Sequence, residues 1–133
     1  MEKGEVKIRL IRNDSEWKET HKIRSSVFGK EQKIPPILIF DGLDKKAKNF
    51  LAFYQNKPVG TARIITKGKK ARLGRLAVLK KYREKNIGSA IIKYIIAYCK
   101  RYGFKEIYFH SQLYIKDFYE KLGFKIRGKP FFE

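Results

Sequence analysis

The chain has 133 residues, of which 43% are hydrophobic and 14% aromatic. That is long enough for one domain with a proper core and too short for two ordinary ones. No stretch approaches the roughly eighteen uninterrupted apolar residues that a membrane span needs, and the charged start MEKGEVKIRLIR does not resemble a signal peptide. We therefore expect a single domain over residues 1–133, located in the cytoplasm and without a membrane partner.

The formal net charge of +19 is concentrated in one part of the chain. Residues 1–44 hold 9 Lys and Arg against 8 Asp and Glu, whereas residues 45–133 hold 23 against 5. Such a field attracts polyanions, which makes nucleic acid a candidate partner. Because the lysines are scattered rather than gathered on one helical face, the residue usage of the source or ion pairing in a heat-stable protein explains the charge better.

Cysteine and histidine are scarce. Cys99 is the sole cysteine and stands in a long apolar run, where a thiol is usually part of the core. His21 and His110 are the two histidines, so the chain has no ligand spacing typical of zinc. We expect no metal cofactor.

The N-terminal part of the chain predicts a strand, a helix and an irregular loop. Apolar residues alternate through residues 6–11, which is typical of a strand. Asn13, with the two residues after it, offers a helix N-cap, and the first helix is expected to end near Gly29. Two prolines make residues 30–44 a loop, which we expect to be functional because it is irregular.

The rest of the chain predicts three consecutive antiparallel strands, then alternating helices and strands. The first two of these strands are joined by a hairpin signal, Asn56, Lys57 and Pro58. The predicted strands are 49–55, 59–66, 71–79, 106–110 and 124–127, and the predicted helices are 88–102 and 113–122.

This order predicts a mixed α/β (α+β) layer structure with about six strands, mostly antiparallel. Residues 71–110 form a strand, helix, strand unit, so its two strands are expected to be parallel.

The most informative segment is RLAVLKKYREKNIGSA, residues 75–90. A predicted strand runs here into a basic turn that contains a glycine and opens directly onto a long apolar helix. Backbone N–H groups gather at such a helix N-terminus, and the helix dipole favours an anion there. The segment therefore predicts a site for a pyrophosphate, and with it a coenzyme A site.

The order of elements and two motifs resemble the Gcn5-related N-acetyltransferase (GNAT) superfamily. The cofactor motif of that family is Arg or Gln, two residues, Gly, one residue, then Gly or Ala. Here it runs from Arg83 to Gly88, with Asn86 in place of the first glycine. Asparagine tolerates left-handed backbone angles better than most residues, so we expect the loop conformation to survive this change.

The second motif is FYEKLGF, which resembles the C-terminal motif of the family. The resemblance implies that Tyr119 donates a proton to the departing coenzyme A thiolate and that Gln112 contacts the pantetheine arm. The region VFGKEQKIPP, followed by Asp41 and Asp44, is further similar to a small subgroup of uncharacterised bacterial acetyltransferases.

The resemblance implies an acyltransferase that moves an acetyl group from acetyl-CoA to an amine. The backbone of the strand before the loop would pair with pantetheine, and the N–H of Val78 would polarise the thioester carbonyl. The loop would wrap the pyrophosphate. The residues implied to bind the cofactor are Leu76, Ala77, Val78, Arg83, Glu84, Lys85, Asn86, Ile87, Gly88, Ser89, Gln112 and Tyr119.

The general base is less well defined. Glu31 lies in the loop that in relatives lines the acceptor side, and it is our candidate for a second catalytic residue beside Tyr119. Asp41 in the same stretch and His110 at a strand end are the alternatives.

Two other functions stay open at this point. One is a basic protein associated with nucleic acid, and the other is a module that binds coenzyme A without turnover. The acceptor is expected to be a primary amine of a small molecule or a protein. Because residues after Phe124 allow only a short final strand, we expect an exposed sheet edge that a second copy of the chain could cover as a homodimer.

Overall fold

The computed structural model describes residues 5–109 of the chain, and in them five strands form one sheet with helices on both faces. In chain order the elements are β1 Val6–Leu10, α1 Asp14–Arg24, a π-helical segment Ser25–Glu31, α2 Pro36–Ile39, a 3-10 turn Asp44–Lys46, β2 Lys48–Tyr54, β3 Lys57–Lys67, β4 Lys70–Val78, a 3-10 turn Lys80–Tyr82, α3 Ile87–Arg101 and β5 Glu106–Phe109.

The strands lie in the order β1-β2-β3-β4-β5. The first four are antiparallel neighbours, whereas β4 and β5 are parallel and are connected through α3. A parallel pair needs such a crossover, and a helix supplies it. The mixed sheet and the parallel strand, helix, strand unit are therefore confirmed.

Side chains that alternate along the strands divide the core into two layers. Phe50 and Ala52 of β2 pack on the face covered by α3, together with Ile91 and Ile95. Leu51, between them, packs on the opposite face with the segment that follows α1. Cys99 is buried in the α3 layer, as predicted, and burial raises the pKa of its thiol to about 11.

The first helix differs from the prediction at its C-terminal end. Asn13 caps it, since its side chain accepts a hydrogen bond from the N–H of Glu16 at 2.9 Å. Regular α-helix ends at Arg24, however, and the chain continues as a π-helical segment to Glu31, past the predicted end at Gly29. This wider winding places Val27 and Phe28 in the core while the segment closes against the sheet.

The hairpin between β2 and β3 also turns earlier than predicted. Gln55 and Asn56 both have positive φ, 50° and 65°, and Lys57 already pairs with Tyr54. Two central residues with positive φ give the turn that matches the twist of the strands. The other described bounds agree with the prediction to within one or two residues. The predicted elements 113–122 and 124–127 lie outside the described residues, and within residues 5–109 no helix is long and apolar enough to span a membrane.

Candidate active site

Strand β4 contains a bulge in its C-terminal half. Thr61 of β3 pairs with Ala77, but Arg63 pairs with Gly74, so β4 has one extra residue in this interval. Arg75 lies there with a φ of 54°, a left-handed angle that is unusual for a side chain of its size. A bulge bends its strand and redirects a side chain. Here it directs Arg75 toward the loop that contains α2.

Residues 76–78 follow the bulge and lie further along β4 than its last described pair with β5, Leu73 with Phe109. Leu76 and Val78 pack toward the α3 layer, and Ala77 toward the opposite layer. These are the residues that were predicted to bind the pantetheine arm through their backbone. Their side chains are core, so any binding role belongs to the main chain.

The loop between β4 and α3 has the backbone of an anion-binding turn. Glu84 and Asn86 have positive φ values of 67° and 62°, and Lys85 between them does not. Alternation of left-handed and right-handed residues turns successive N–H groups toward one concave side, which suits a phosphate. Asn86 thus adopts the left-handed conformation expected where the motif has glycine.

Helix α3 begins directly after this loop, with Asn86 as its N-cap residue. Asparagine usually caps a helix with its side chain from an extended backbone, but Asn86 is left-handed and makes no capping hydrogen bond. Apart from its chain neighbours and the backbone of its own helix, a Cβ built on Gly88 would meet no atom of the described residues within 4 Å. Lys80, Lys81 and Lys85 nearby are exposed. The residues present therefore fit a pyrophosphate, since uncapped N–H groups, space and positive charge coincide.

Arg83 connects this loop to the opposite side of the sheet. Its Nε donates a hydrogen bond to the carbonyl oxygen of Val78 at 3.0 Å. Its Nη1 and Nη2 donate to the two carboxylate oxygens of Glu31 at 2.8 and 2.7 Å. One guanidinium thus joins the end of β4, the loop between β4 and α3, and the end of the π-helical segment. We call this contact the Arg83–Glu31 pair.

A second group of charged side chains lies on the same side of the sheet as Glu31, and its three arginines are buried. Arg63 of β3 is 2% exposed and donates to Asp41 at 2.9 and 2.6 Å and to Asp44 at 3.3 Å. Arg24 donates to Asp44 at 2.9 Å, and Arg75 to Asp41 at 3.1 Å. We call these five residues the buried arginine cluster. Within these five residues, three guanidinium groups face two carboxylates.

The cluster fixes the loop that contains α2. Arg75 donates to the carbonyl oxygens of Ile39 and Leu38 at 3.1 and 2.9 Å, and the Asp41 carboxylate accepts the N–H of Leu43 at 3.1 Å. A stretch with only one short helical turn of its own is thereby held against the sheet by side chains.

Asp41 is a poor candidate for the general base. Each of its carboxylate oxygens accepts two hydrogen bonds, from Arg63 and Leu43 on one oxygen and from Arg63 and Arg75 on the other. The hydrogen bonds of Arg63 are the largest cause that lowers the pKa of Asp41; burial opposes them, and the pKa remains well below its ordinary value. A fully paired carboxylate of low pKa does not accept a proton readily.

Among the other predicted residues, Glu31 is brought directly to Arg83, and the loop residues 83–89 lie together at the start of α3. Gln112, Tyr119 and His110 lie outside the described residues. Their predicted roles stay predictions.

Comparison with known proteins agrees with this geometry. A sequence model of the acetyltransferase (GNAT) domain matches residues 38–133 of the chain. The chain belongs to the GNAT acetyltransferase family. It is 32% identical over 131 residues to YyaT, an uncharacterised protein of Bacillus subtilis (strain 168), with 96% of this chain and 88% of that protein covered. It is 27% identical to the uncharacterised N-acetyltransferase YjcF of the same organism, with 96% and 91% covered.

Solved structures confirm the GNAT fold. A candidate N-acetyltransferase from Lactobacillus plantarum superposes with a TM-score of 0.86 at 24% identity. The match covers 96% of this chain and 90% of the other. An acyl-CoA N-acyltransferase from Pseudomonas aeruginosa superposes with a TM-score of 0.82 at 18% identity, with 98% and 92% covered. The protein is thus an acyltransferase with a GNAT fold.

Sequence reasoning missed the buried arginine cluster. Arg63 and Arg75 each stand between small or apolar residues inside a strand, and buried arginines are rare unless they are paired. Such a pattern, with Asp41 and Asp44 in the preceding loop, is a signal of buried ion pairs. It does not by itself say which carboxylate meets which arginine.

Proposed function

We propose that this acyltransferase is an acetyl-CoA-dependent N-acetyltransferase whose acceptor is a primary amine of a small molecule or a protein. The observation that supports it most is the cofactor loop, in which left-handed Glu84 and Asn86 precede the uncapped N-terminus of α3. Pyrophosphate is the part of coenzyme A that fits these N–H groups. The thioester would then lie beside the end of β4.

The loop and the end of β4 bind different parts of coenzyme A in this proposal. The N–H groups from Arg83 to Ser89 hold the pyrophosphate, and the basic side chains around them add attraction. The backbone of Leu76, Ala77 and Val78 pairs with the pantetheine arm as an added strand would, with Gln112 as a further contact. These contacts orient the thioester for attack rather than react themselves.

Acetyl transfer also requires two proton movements. The amine nitrogen must be neutral to attack the acetyl carbon, and the sulfur that leaves that carbon takes up one proton. The N–H of Val78 polarises the carbonyl, and Tyr119 donates the proton to sulfur. Glu31 takes the proton of the amine, and the pairing of Asp41 makes it a weaker alternative for that role.

Calorimetric titration with acetyl-CoA at moderate salt tests the cofactor site, with ATP as an equally anionic control. We expect saturable one-to-one binding that ATP does not reproduce. Equal binding of ATP would reduce the loop to a basic patch, and binding of nucleic acid would then become the leading function.

The proton donor is tested by Tyr119→Phe. Loss of the hydroxyl should lower the turnover number while the dissociation constant for acetyl-CoA stays nearly unchanged. A parallel loss of binding and turnover would assign Tyr119 to packing or to cofactor contact instead.

A further inference from the structure

The Arg83–Glu31 pair joins two residues with separate proposed tasks. Arg83 begins the loop proposed to hold pyrophosphate, and Glu31 is the proposed base on the acceptor side. In the structure each is the partner of the other, since both carboxylate oxygens of Glu31 accept a hydrogen bond from Arg83. Both oxygens of this carboxylate are thus already occupied by donors, so an amine that approaches Glu31 must share them with Arg83.

The pair is built so that it can open. Side chains of Arg83 and Glu31 are 40% and 29% exposed, so water can replace either partner. An exposed ion pair is weak, so a stronger anion can compete for one of its partners. The two residues are 52 positions apart and belong to different segments, so no local turn forces them together.

Pyrophosphate is a suitable competitor for this guanidinium. It offers more negative charge than a carboxylate, and arginine binds phosphate oxygens with the same two-pronged geometry. The Nε of Arg83 would keep its hydrogen bond to Val78, so the guanidinium need not leave the end of β4 to change partners.

We infer that Glu31 and the pyrophosphate of the cofactor compete for Arg83, so that cofactor binding releases the Glu31 carboxylate toward the acceptor side. This inference rests on the proposed function. Without cofactor, Glu31 neutralises Arg83 and is unavailable as a base; with cofactor, Arg83 serves the phosphate and Glu31 is free to take the amine proton. The base becomes active when the acyl donor is in place.

The two possible roles of Glu31, competing for Arg83 or merely positioning it, predict opposite effects of its loss on the affinity for acetyl-CoA. If Glu31 only positions Arg83, its loss weakens acetyl-CoA binding. If Glu31 competes, Glu31→Gln tightens binding, by about two- to fivefold from the usual strength of an exposed pair. Calorimetric titration of the wild-type protein and the variant with acetyl-CoA separates the two, and an unchanged or weaker affinity in Glu31→Gln overturns the inference.

Two further proteins distinguish competition from a general effect of charge. Asp14→Asn removes an equal charge from the exposed first turn of α1, outside the cofactor loop and the Arg83–Glu31 pair; a gain as large as that of Glu31→Gln would assign the effect to net charge. In an Arg83→Gln background, Glu31→Gln should no longer tighten binding, because the shared partner is gone. A gain that persists there overturns the inference.

The same titrations separate this inference from the proposed function. If the wild-type protein and the variants all fail to bind acetyl-CoA, the proposed function fails and the inference with it. If all bind specifically with equal affinity, the cofactor site stands and the competition is wrong.

Discussion

The buried arginine cluster and the Arg83–Glu31 pair are both arginine–carboxylate contacts near β4, but their surroundings differ. In the cluster, Arg63 is 2% exposed and its charge is held by two aspartates. The carboxylates differ little, since the Asp41 and Glu31 side chains are 26% and 29% exposed, but Arg83 of the pair is 40% exposed. Removing one partner from a buried group leaves an uncompensated charge, whereas water compensates at the surface. The first group therefore fixes structure, and the second can change partners.

The two groups also hold different segments of the chain. The cluster fastens the α2 loop through Asp41 and through the contact of Arg75 with the carbonyl of Leu38. If the α2 loop lines the acceptor side, as the proposed function implies, such a rigid wall lowers the ordering cost of binding. The pair joins the loop between β4 and α3 to the end of the π-helical segment.

The largest expected effect is a loss of stability in Asp41→Asn. The change leaves Arg63 and Arg75 with one fewer negative partner in a buried setting, so the free energy of unfolding should fall by about 3 kcal/mol. Urea denaturation measures it, with Asp14→Asn in the exposed first turn of α1 as the matched control. Equal losses in both variants would contradict the division between buried and exposed charges.

Acid should remove the contribution of the Asp41 charge to the free energy of unfolding. Its pKa is lower in the folded chain than in the unfolded one, so its contribution is present above the unfolded value of about 3.9 and is lost as the pH falls toward the folded value. The difference in unfolding free energy between wild type and Asp41→Asn should therefore shrink from about pH 5 downward.

Urea titrations from pH 7 to below pH 3 follow that difference. A constant gap over the whole range would mean that the Asp41 charge does not stabilise the fold.

A smaller effect is expected at Asn86, in the cofactor loop. Asn86→Ala forces a residue with a Cβ and no local polar compensation to keep a φ of 62°, which costs about 1 kcal/mol, whereas Asn86→Gly keeps the angle at little cost. Affinity for acetyl-CoA should fall in the alanine variant and persist in the glycine variant. Calorimetry with both proteins provides the measurement, and equal affinities would show that the left-handed angle is not required.

The smallest effect on stability is expected for Glu31→Gln. Because the pair is exposed, its loss should change the free energy of unfolding by less than about 1 kcal/mol. Urea denaturation beside Asp41→Asn tests this directly. A loss as large as that of Asp41→Asn would make Glu31 a structural residue and weaken the contrast between the two groups.

Much of the fold could be predicted because it depends on local pattern. Alternation of apolar residues located the strands, and the glycine-containing turn before an apolar run located α3. Left-handed Asn86 was also predictable, since the backbone angle depends on the residue itself. The π-helical segment after Arg24 was not, because it depends on how Val27 and Phe28 fit against the sheet.

The sequence by itself determined the GNAT family, the mixed sheet with its parallel unit and the position of the loop between β4 and α3, because those features follow from periodicity and from a contiguous motif. Tertiary structure alone decided the ionic contacts. Arg63 meets Asp41 across 22 positions and Arg83 meets Glu31 across 52, and charge pairing at such separations depends on which segments the packed core brings together. That is why the sequence could not show that the Asp41 carboxylate is fully paired or that Glu31 is held by Arg83.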